Sequence, residues 1–180
     1  DNYKSITELS AKELRLGGLR IDPKTNIGSR VTYYNNVKIR NLKNQKSEIT
    51  QVKGLPKNPK LSNISWSPDQ KRIALTNTTE TGVELWVLEL ENGSVTKLTE
   101  PNLNSNIGSV INWFSDSENM LVKMISNNRR PLIDTNKIVP DGPTISTNFG
   151  EKAQNRTYQD LLKNKFDEHN FEPVSYTHLR

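Results

Sequence analysis

One phrase limits the folds open to this chain: Trp66-Ser67-Pro68-Asp69-Gln70-Lys71-Arg72-Ile73-Ala74-Leu75. Ile64 and Trp66 alternate as the end of a strand, and Ser-Pro-Asp-Gln reverses the chain. Pro68 pre-sets φ for the turn, and the Asp69 carboxylate can accept hydrogen bonds from the backbone N–H groups that follow it. Ile73 and Leu75, then Leu85, Val87 and Leu90, continue as further strands. Asn92-Gly93 turns the chain into Val95-Thr96-Lys97-Leu98-Thr99. Four short strands joined by tight turns make a sheet that cannot bury both its faces alone, so copies of it are expected nearby.

Copies are present. Val110-Ile111-Asn112-Trp113-Phe114-Ser115-Asp116 repeats the signal, with Trp113 47 residues after Trp66, and Met120, Val122 and Met124 continue it as a second strand. A degenerate copy precedes the central unit. A strand ending at Ile21 leads into Asp22-Pro23, and Arg30–Tyr34 reads as the next strand. Asn35-Asn36 is a turn, Val37, Ile39 and Leu42 form another strand, and Asn44-Gln45-Lys46 turns the chain into Ser47–Val52. Units of four strands recurring at this period tile a β-propeller. The pattern therefore predicts an all-β partial β-propeller of about two and a half four-stranded blades, with a mixed loop and short-helix insertion in the third.

The expected organisation is a helical lead-in over 1–16, a partial propeller over 17–172 and a separate tail over 173–180. The blades fall at about 17–53, 61–99 and 109–172, the last incomplete and carrying the insertion 126–172. The lead-in helix spans 5–15, with Ser5 as N-cap and Glu8 at the capping-box position, until Gly17-Gly18 stops it. Gly54-Leu55-Pro56-Lys57-Asn58-Pro59 is a connector, because its prolines cannot donate to a sheet ladder. Within the insertion Thr157–Asn164 reads as a short helix with Tyr158, Leu161 and Leu162 on one side. The tail Pro173-Val174-Ser175-Tyr176-Thr177-His178-Leu179-Arg180 continues no pattern and is expected to be non-native. An unclosed set of blades leaves strand edges and apolar faces exposed, which predicts self-association.

Composition excludes more than it assigns. The chain has 180 residues and no cysteine, so it offers neither disulfides nor thiolate chemistry. That absence suits periplasm, secretion or cytoplasm alike. No apolar run approaches the roughly 20 residues of a membrane span. A net charge of +5 is spread among Asn, Thr and Glu rather than gathered in an arginine-rich stripe, so nucleic acid is not an expected partner.

Candidate chemistry is sparse. His169 and His178 are the chain's two histidines, His169 in the polar run Phe166–Asn170 and His178 in the tail. No Gly-x-Ser-x-Gly elbow, metal-ligand spacing or Gly-rich phosphate loop accompanies them. Asp167, Glu168 and Glu172 read as a solvated acidic run rather than an acid pair or calcium ligands. Asp69 and Asp116 read as turn stabilisers, and Trp66 and Trp113 as blade packing. Arg129-Arg130 reads as a solvated loop, with the alternative that it faces a carboxylate or another domain. No residue is assigned to catalysis, to a cofactor or to a metal, and no cofactor is expected.

On Gly18-Leu19-Arg20-Ile21-Asp22-Pro23-Lys24-Thr25-Asn26, Val52–Pro56 and Trp66–Asp69, continued by Pro131-Leu132-Ile133, Val139–Pro143 and Asn155–Lys163, the chain resembles the amino-terminal propeller of a prolyl-oligopeptidase-type (S9) serine peptidase. The resemblance is to the glutamyl endopeptidase-like branch and to bacterial homologues. It implies a substrate-gating propeller followed by an α/β-hydrolase domain with a Ser-Asp-His triad, a peptide substrate and cleavage after glutamate. None of the triad falls on this chain, so the segment itself is expected to be non-catalytic. The alternatives are a TolB-like binding or scaffold propeller without a hydrolase, and a carbohydrate-active propeller, which needs acidic residues converging on the channel.

Overall fold

A computed structural model describes residues 5–42, 48–139, 142, 149–150 and 160–180. In chain order it contains α1 (Ile6–Leu9), β1 (Leu14–Leu16), β2 (Leu19–Ile21), β3 (Lys38–Ile39), β4 (Thr50–Gln51), β5 (Leu61–Trp66), β6 (Arg72–Thr78), β7 (Val83–Glu89) and β8 (Ser94–Lys97). β9 (Ile111–Trp113), β10 (Met120–Ile125), α2 (Lys165–Ser175) and β11 (Thr177–Leu179) follow. The strands form four small antiparallel sheets, ordered β1-β2, β3-β4, β5-β6-β7-β8 and β11-β10-β9. No sheet closes on itself among the described residues.

The central sheet follows the sequence pattern closely. β6 and β7 pair without interruption from Arg72↔Glu89 to Thr78↔Val83. Alternation along these strands sends side chains to opposite faces, and here both faces are apolar. Ala74, Val83, Leu85 and Val87 pack with Val110, Ile111, Val122 and Met124 of the β9–β10 side. Ile73, Leu75, Leu88 and Val95 pack on the other face, against Val37, Ile39, Val52 and Leu55. The sheet is thus the middle layer of a stack.

The turn between β6 and β7 depends on contact with the next segment. Thr79 N–H donates to the Gly82 carbonyl at 2.8 Å. A Cβ built on Gly82 would lie 1.9 Å from the Pro101 carbonyl oxygen, which is backbone and cannot swing away.

Several sequence expectations are corrected. The lead-in helix stops at Leu9, and Leu14–Leu16 is a strand instead of its last turn. Gly17 and Gly18 take φ +57 and +82, which fits a two-residue hairpin loop whose backbone twist matches its strands. The glycines therefore close a hairpin rather than cap a helix. Arg30–Tyr34 forms no named strand and contributes a single bridge, Tyr34↔Leu61. Leu42 stands outside β3 and is exposed. The expected turn at Asn44-Gln45-Lys46, most of Val139–Pro143, the Thr144–Asn148 segment and residues 157–159 of the expected helix lie outside the described residues. Residues 160–164 are not helical; the helix begins at Lys165, where the Asn164 side chain accepts from the Phe166 and Asp167 N–H groups.

The segment 173–180, which continues no sequence pattern, finishes α2 and supplies β11. Lys123↔Leu179, Met124↔His178 and Ile125↔Thr177 are its partners in register. Strand addition at an open edge is carried by backbone N–H and C=O groups, so it asks for no periodic sequence.

A buried polar cluster links three strands of the central sheet. Glu84, 8% exposed, accepts from Asn77 Nδ2 at 3.1 Å and Trp86 Nε1 at 2.9 Å, and pairs with Lys97 Nζ at 2.9 Å. Burial pushes the Glu84 carboxyl up, but the hydrogen bonds from Lys97, Asn77 and Trp86 outweigh it and hold the group below its ordinary value. A lowered folded-state value means that the ionised form is stabilised by folding. That contribution is full above the ordinary glutamate value of 4.5 and disappears as pH falls through the lower folded value.

Two outcomes are expected. Gly82→Ala lowers stability by about 3 kcal/mol, as overpacking against fixed backbone does, read by chemical denaturation. Glu84→Gln sets an amide donor among three donors and costs about 2 kcal/mol at neutral pH. The gap between wild type and Glu84→Gln in thermal-denaturation midpoint narrows as pH drops below about 4.5.

Candidate functional site

The repeated turns are built from their own side chains. Ser67 Oγ donates to Asp69 Oδ1 at 2.6 Å and accepts from Arg72 N–H at 3.0 Å, while Asp69 Oδ1 accepts from Lys71 N–H at 3.1 Å. Asp116 Oδ1 accepts from Glu118 N–H at 3.0 Å, and Asp22 Oδ1 from Lys24 N–H at 2.8 Å. Asp22, Asp69 and Asp116 are spaced 47 residues apart, and each accepts from the amide two residues on. The Ser67 hydroxyl, then the Lys71 amide, holds the Asp69 carboxyl below its usual range; for Asp116 the Asn119 side chain, then backbone amides, does the same. Each of these carboxylates thus serves its own turn.

These turns also touch one another. Asp69 N–H donates to Ser117 Oγ at 3.0 Å, and Arg72 Nη1 donates to the Ser117 carbonyl at 3.0 Å. Arg72 Nε meanwhile reaches Glu89 at 2.7 Å. Trp113 Nε1 donates to the Ser65 carbonyl at 3.2 Å, and its ring packs on the core beside β9 and β10. Trp113 is thus a packing residue, as expected. Trp66 is not: it is 56% exposed. The β5–β6 register breaks between Ser62 and Ser65, and Asn63 sits at φ +48. A bulge of this kind re-aims the side chains beyond it.

The acidic run does not converge on a site. Asp167 accepts from Lys163 N–H at 2.9 Å in the first turn of α2, and Glu172 pairs with Arg130 at 3.0 Å. Acidic residues at a helix start favour the helix macrodipole. His169 lies 3.3 Å from the Pro131 carbonyl through Nε2, and His178 lies in β11 opposite Met124. Among the described residues, no three His, Cys, Asp or Glu side chains form a group able to hold a metal ion. No helix among them is long and apolar enough to cross a membrane.

The segment after β10, in contrast, lines a cleft together with α2. Ser126, Asn128, Arg129, Arg130, Glu172, Pro173 and Tyr176 line about 250 Å³ between the end of β10 and the C-terminal half of α2. α2 is held there by Asn170, 2% exposed, whose amide bonds both sides of Ile133: it accepts from N–H at 2.8 Å and donates to C=O at 2.9 Å. Behind the cleft is a buried amide network. Asn26 Nδ2 donates to Asn104 Oδ1 at 2.8 Å, and Asn104 Nδ2 to the Val174 carbonyl at 3.2 Å. Arg129 Nη2 donates to Asn26 Oδ1 at 3.0 Å, which draws this guanidinium inward. Burial lowers the Arg129 pKa. The solvated-loop expectation thus fails for Arg129, and Arg130, though exposed, pairs with the Glu172 carboxylate at 3.0 Å, as the alternative had it. Nothing local in the sequence marks the difference, since Asn26 lies 103 residues away.

Asn170→Ala leaves the Ile133 amide and carbonyl without partners and is expected to cost about 2 kcal/mol, measured by urea unfolding. The accompanying loss should appear as faster amide exchange across α2 and the 131–134 segment.

No family model matches the chain, and no solved structure matches it. Two curated plant proteins do. The chain is 30% identical over 178 residues to the probable glutamyl endopeptidase, chloroplastic, of Arabidopsis thaliana. It is 27% identical over 174 residues to the protein of the same name from Oryza sativa subsp. japonica. Each match covers 90% of this chain and 18% of the relative, so the chain is distantly homologous to a limited part of proteins named as glutamyl endopeptidases.

Proposed function

We propose that this segment is a non-catalytic β-sheet module whose work is contact with polypeptide. The observation that carries the reading is the use made of the repeated aspartates. Asp22, Asp69 and Asp116, at intervals of 47, all cap their own turns, so the recurring acidic groups build architecture rather than chemistry. The exposed Trp66 and Phe114, on neighbouring layers, offer apolar surface to a partner.

The finer reading is a portion of a β-propeller that gates substrate entry in a serine-type peptidase acting on peptides, with cleavage after glutamate. The names of the two plant relatives support it. So does the repeat register, because β7 and β8 shifted back by 47 residues overlap β3 and β4. The chain spans 18% of those relatives, so on this reading the nucleophile lies in sequence beyond the matched region. The open, unclosed sheets favour the second reading, a TolB-like binding or scaffold module without a hydrolase.

The two separate in one experiment on the complete protein. A fluorophosphonate probe should label a serine outside these 180 residues, and a glutamate-containing peptide should be cut, while this chain alone leaves the peptide intact. Hydrolysis by the isolated chain would overturn the non-catalytic assignment. A complete protein that is neither labelled nor active, yet still binds polypeptide, selects the scaffold reading.

A further inference from the structure

The cleft at the end of β10 contains a charge that nothing among the described residues balances. Arg129 has five N–H donors, and among the described residues its side chain makes one hydrogen bond, to Asn26 Oδ1 at 3.0 Å. Its Nε is buried without a partner, and no carboxylate among the described residues pairs with it. The structural duty of Arg129 is a single donor to an amide oxygen, which a neutral side chain could supply. An uncompensated, half-buried guanidinium is otherwise a cost.

The surroundings define what would balance it. Arg130 and Glu172 also line the cleft and pair with each other at 3.0 Å, which leaves a net of one positive charge. That balance suits a monoanion better than a dianion. Ser126 and Asn128 add polar groups, and Pro173 and Tyr176 add apolar wall. A planar carboxylate matches a guanidinium fork.

We propose that this cleft binds a carboxylate of a polypeptide through Arg129, with Arg130–Glu172 at its rim. The assignment stands on the cleft itself and is independent of the peptidase reading. Two sources share the chemistry: an acidic side chain and a C-terminal carboxylate.

The test is protection from phenylglyoxal in the 180-residue chain, with modification at Arg129, Arg130 and Arg15 read by tandem mass spectrometry. The probes are N-acetylglutamate amide, which carries only a side-chain carboxylate, and N-acetylglycine, which carries only a terminal one. Acetamide and inorganic phosphate are the controls. At ten times its Kd, the bound carboxylate should slow Arg129 modification by about tenfold, by simple mass action. Arg15, paired with Glu13 at 2.8 Å away from the cleft, should be unaffected. Whichever carboxylate protects at the lower concentration identifies the source. Glu172→Gln leaves Arg129 and Asn26 in place while removing the competing anion, so protection should then set in at lower concentration. The proposal is overturned if neither carboxylate protects Arg129, if acetamide protects equally, if phosphate protects at lower concentration than both carboxylates, or if Glu172→Gln weakens protection.

Discussion

The structure rests on the requirement that β5–β8 be covered on both faces. Each large aliphatic side chain in its core contributes about 1.5–3 kcal/mol only if water is excluded from it. Leu75 and Leu88 need the layer that carries Val37 and Ile39, and Val83, Leu85 and Val87 need the layer that carries Ile111 and Val122. A lone sheet of this composition would have no soluble face. The short β3–β4 and β9–β10 pairs are therefore coverings as much as sheets, and the turn contacts Asp69–Ser117 and Trp113–Ser65 fix the register between layers.

A third apolar cluster forms where the stack ends. Leu16 and Ile21 of the first hairpin bury Val174, with Leu132 and Phe171 around them. Here backbone groups meet without a regular sheet to pair them, and amide side chains do the pairing. Asn26, Asn104 and Asn170 are each nearly inaccessible and hydrogen-bonded to backbone or to one another. Unpaired, such groups would be costly; satisfied, they specify one arrangement. The price of that arrangement is the guanidinium of Arg129, drawn in by Asn26 and left without a counter-charge among the described residues.

Polar chemistry is accordingly divided between two uses. In the repeat it is consumed by turns and cross-strand clusters, as at Asp69 and Glu84. In the segment after β10 it lines a cleft. The division follows packing, because the stacked sheets must present apolar faces to one another while the segment after β10 lies outside that stack.

The central sheet was legible because period-two alternation and the Ser-Pro-Asp-Gln turn act over a few residues, and the observed β5–β8 follow them. Trp113 and Asp116 were legible by recurrence. The lead-in failed because Leu9, Glu13 and Leu16 carry a helical spacing that tertiary packing overrides: Leu16 is buried against Ile21 and Val174 once Gly17-Gly18 folds back. Trp66 failed because a bulge is a property of strand pairing. α2 was displaced from its expected position, and β11 was hidden, because an edge is filled through backbone and leaves no side-chain pattern. The sequence alone determined the repeat, its turns and the middle layer, since those are local. Only the tertiary structure decided which of two adjacent arginines is drawn half inside, because its partner lies 103 residues away.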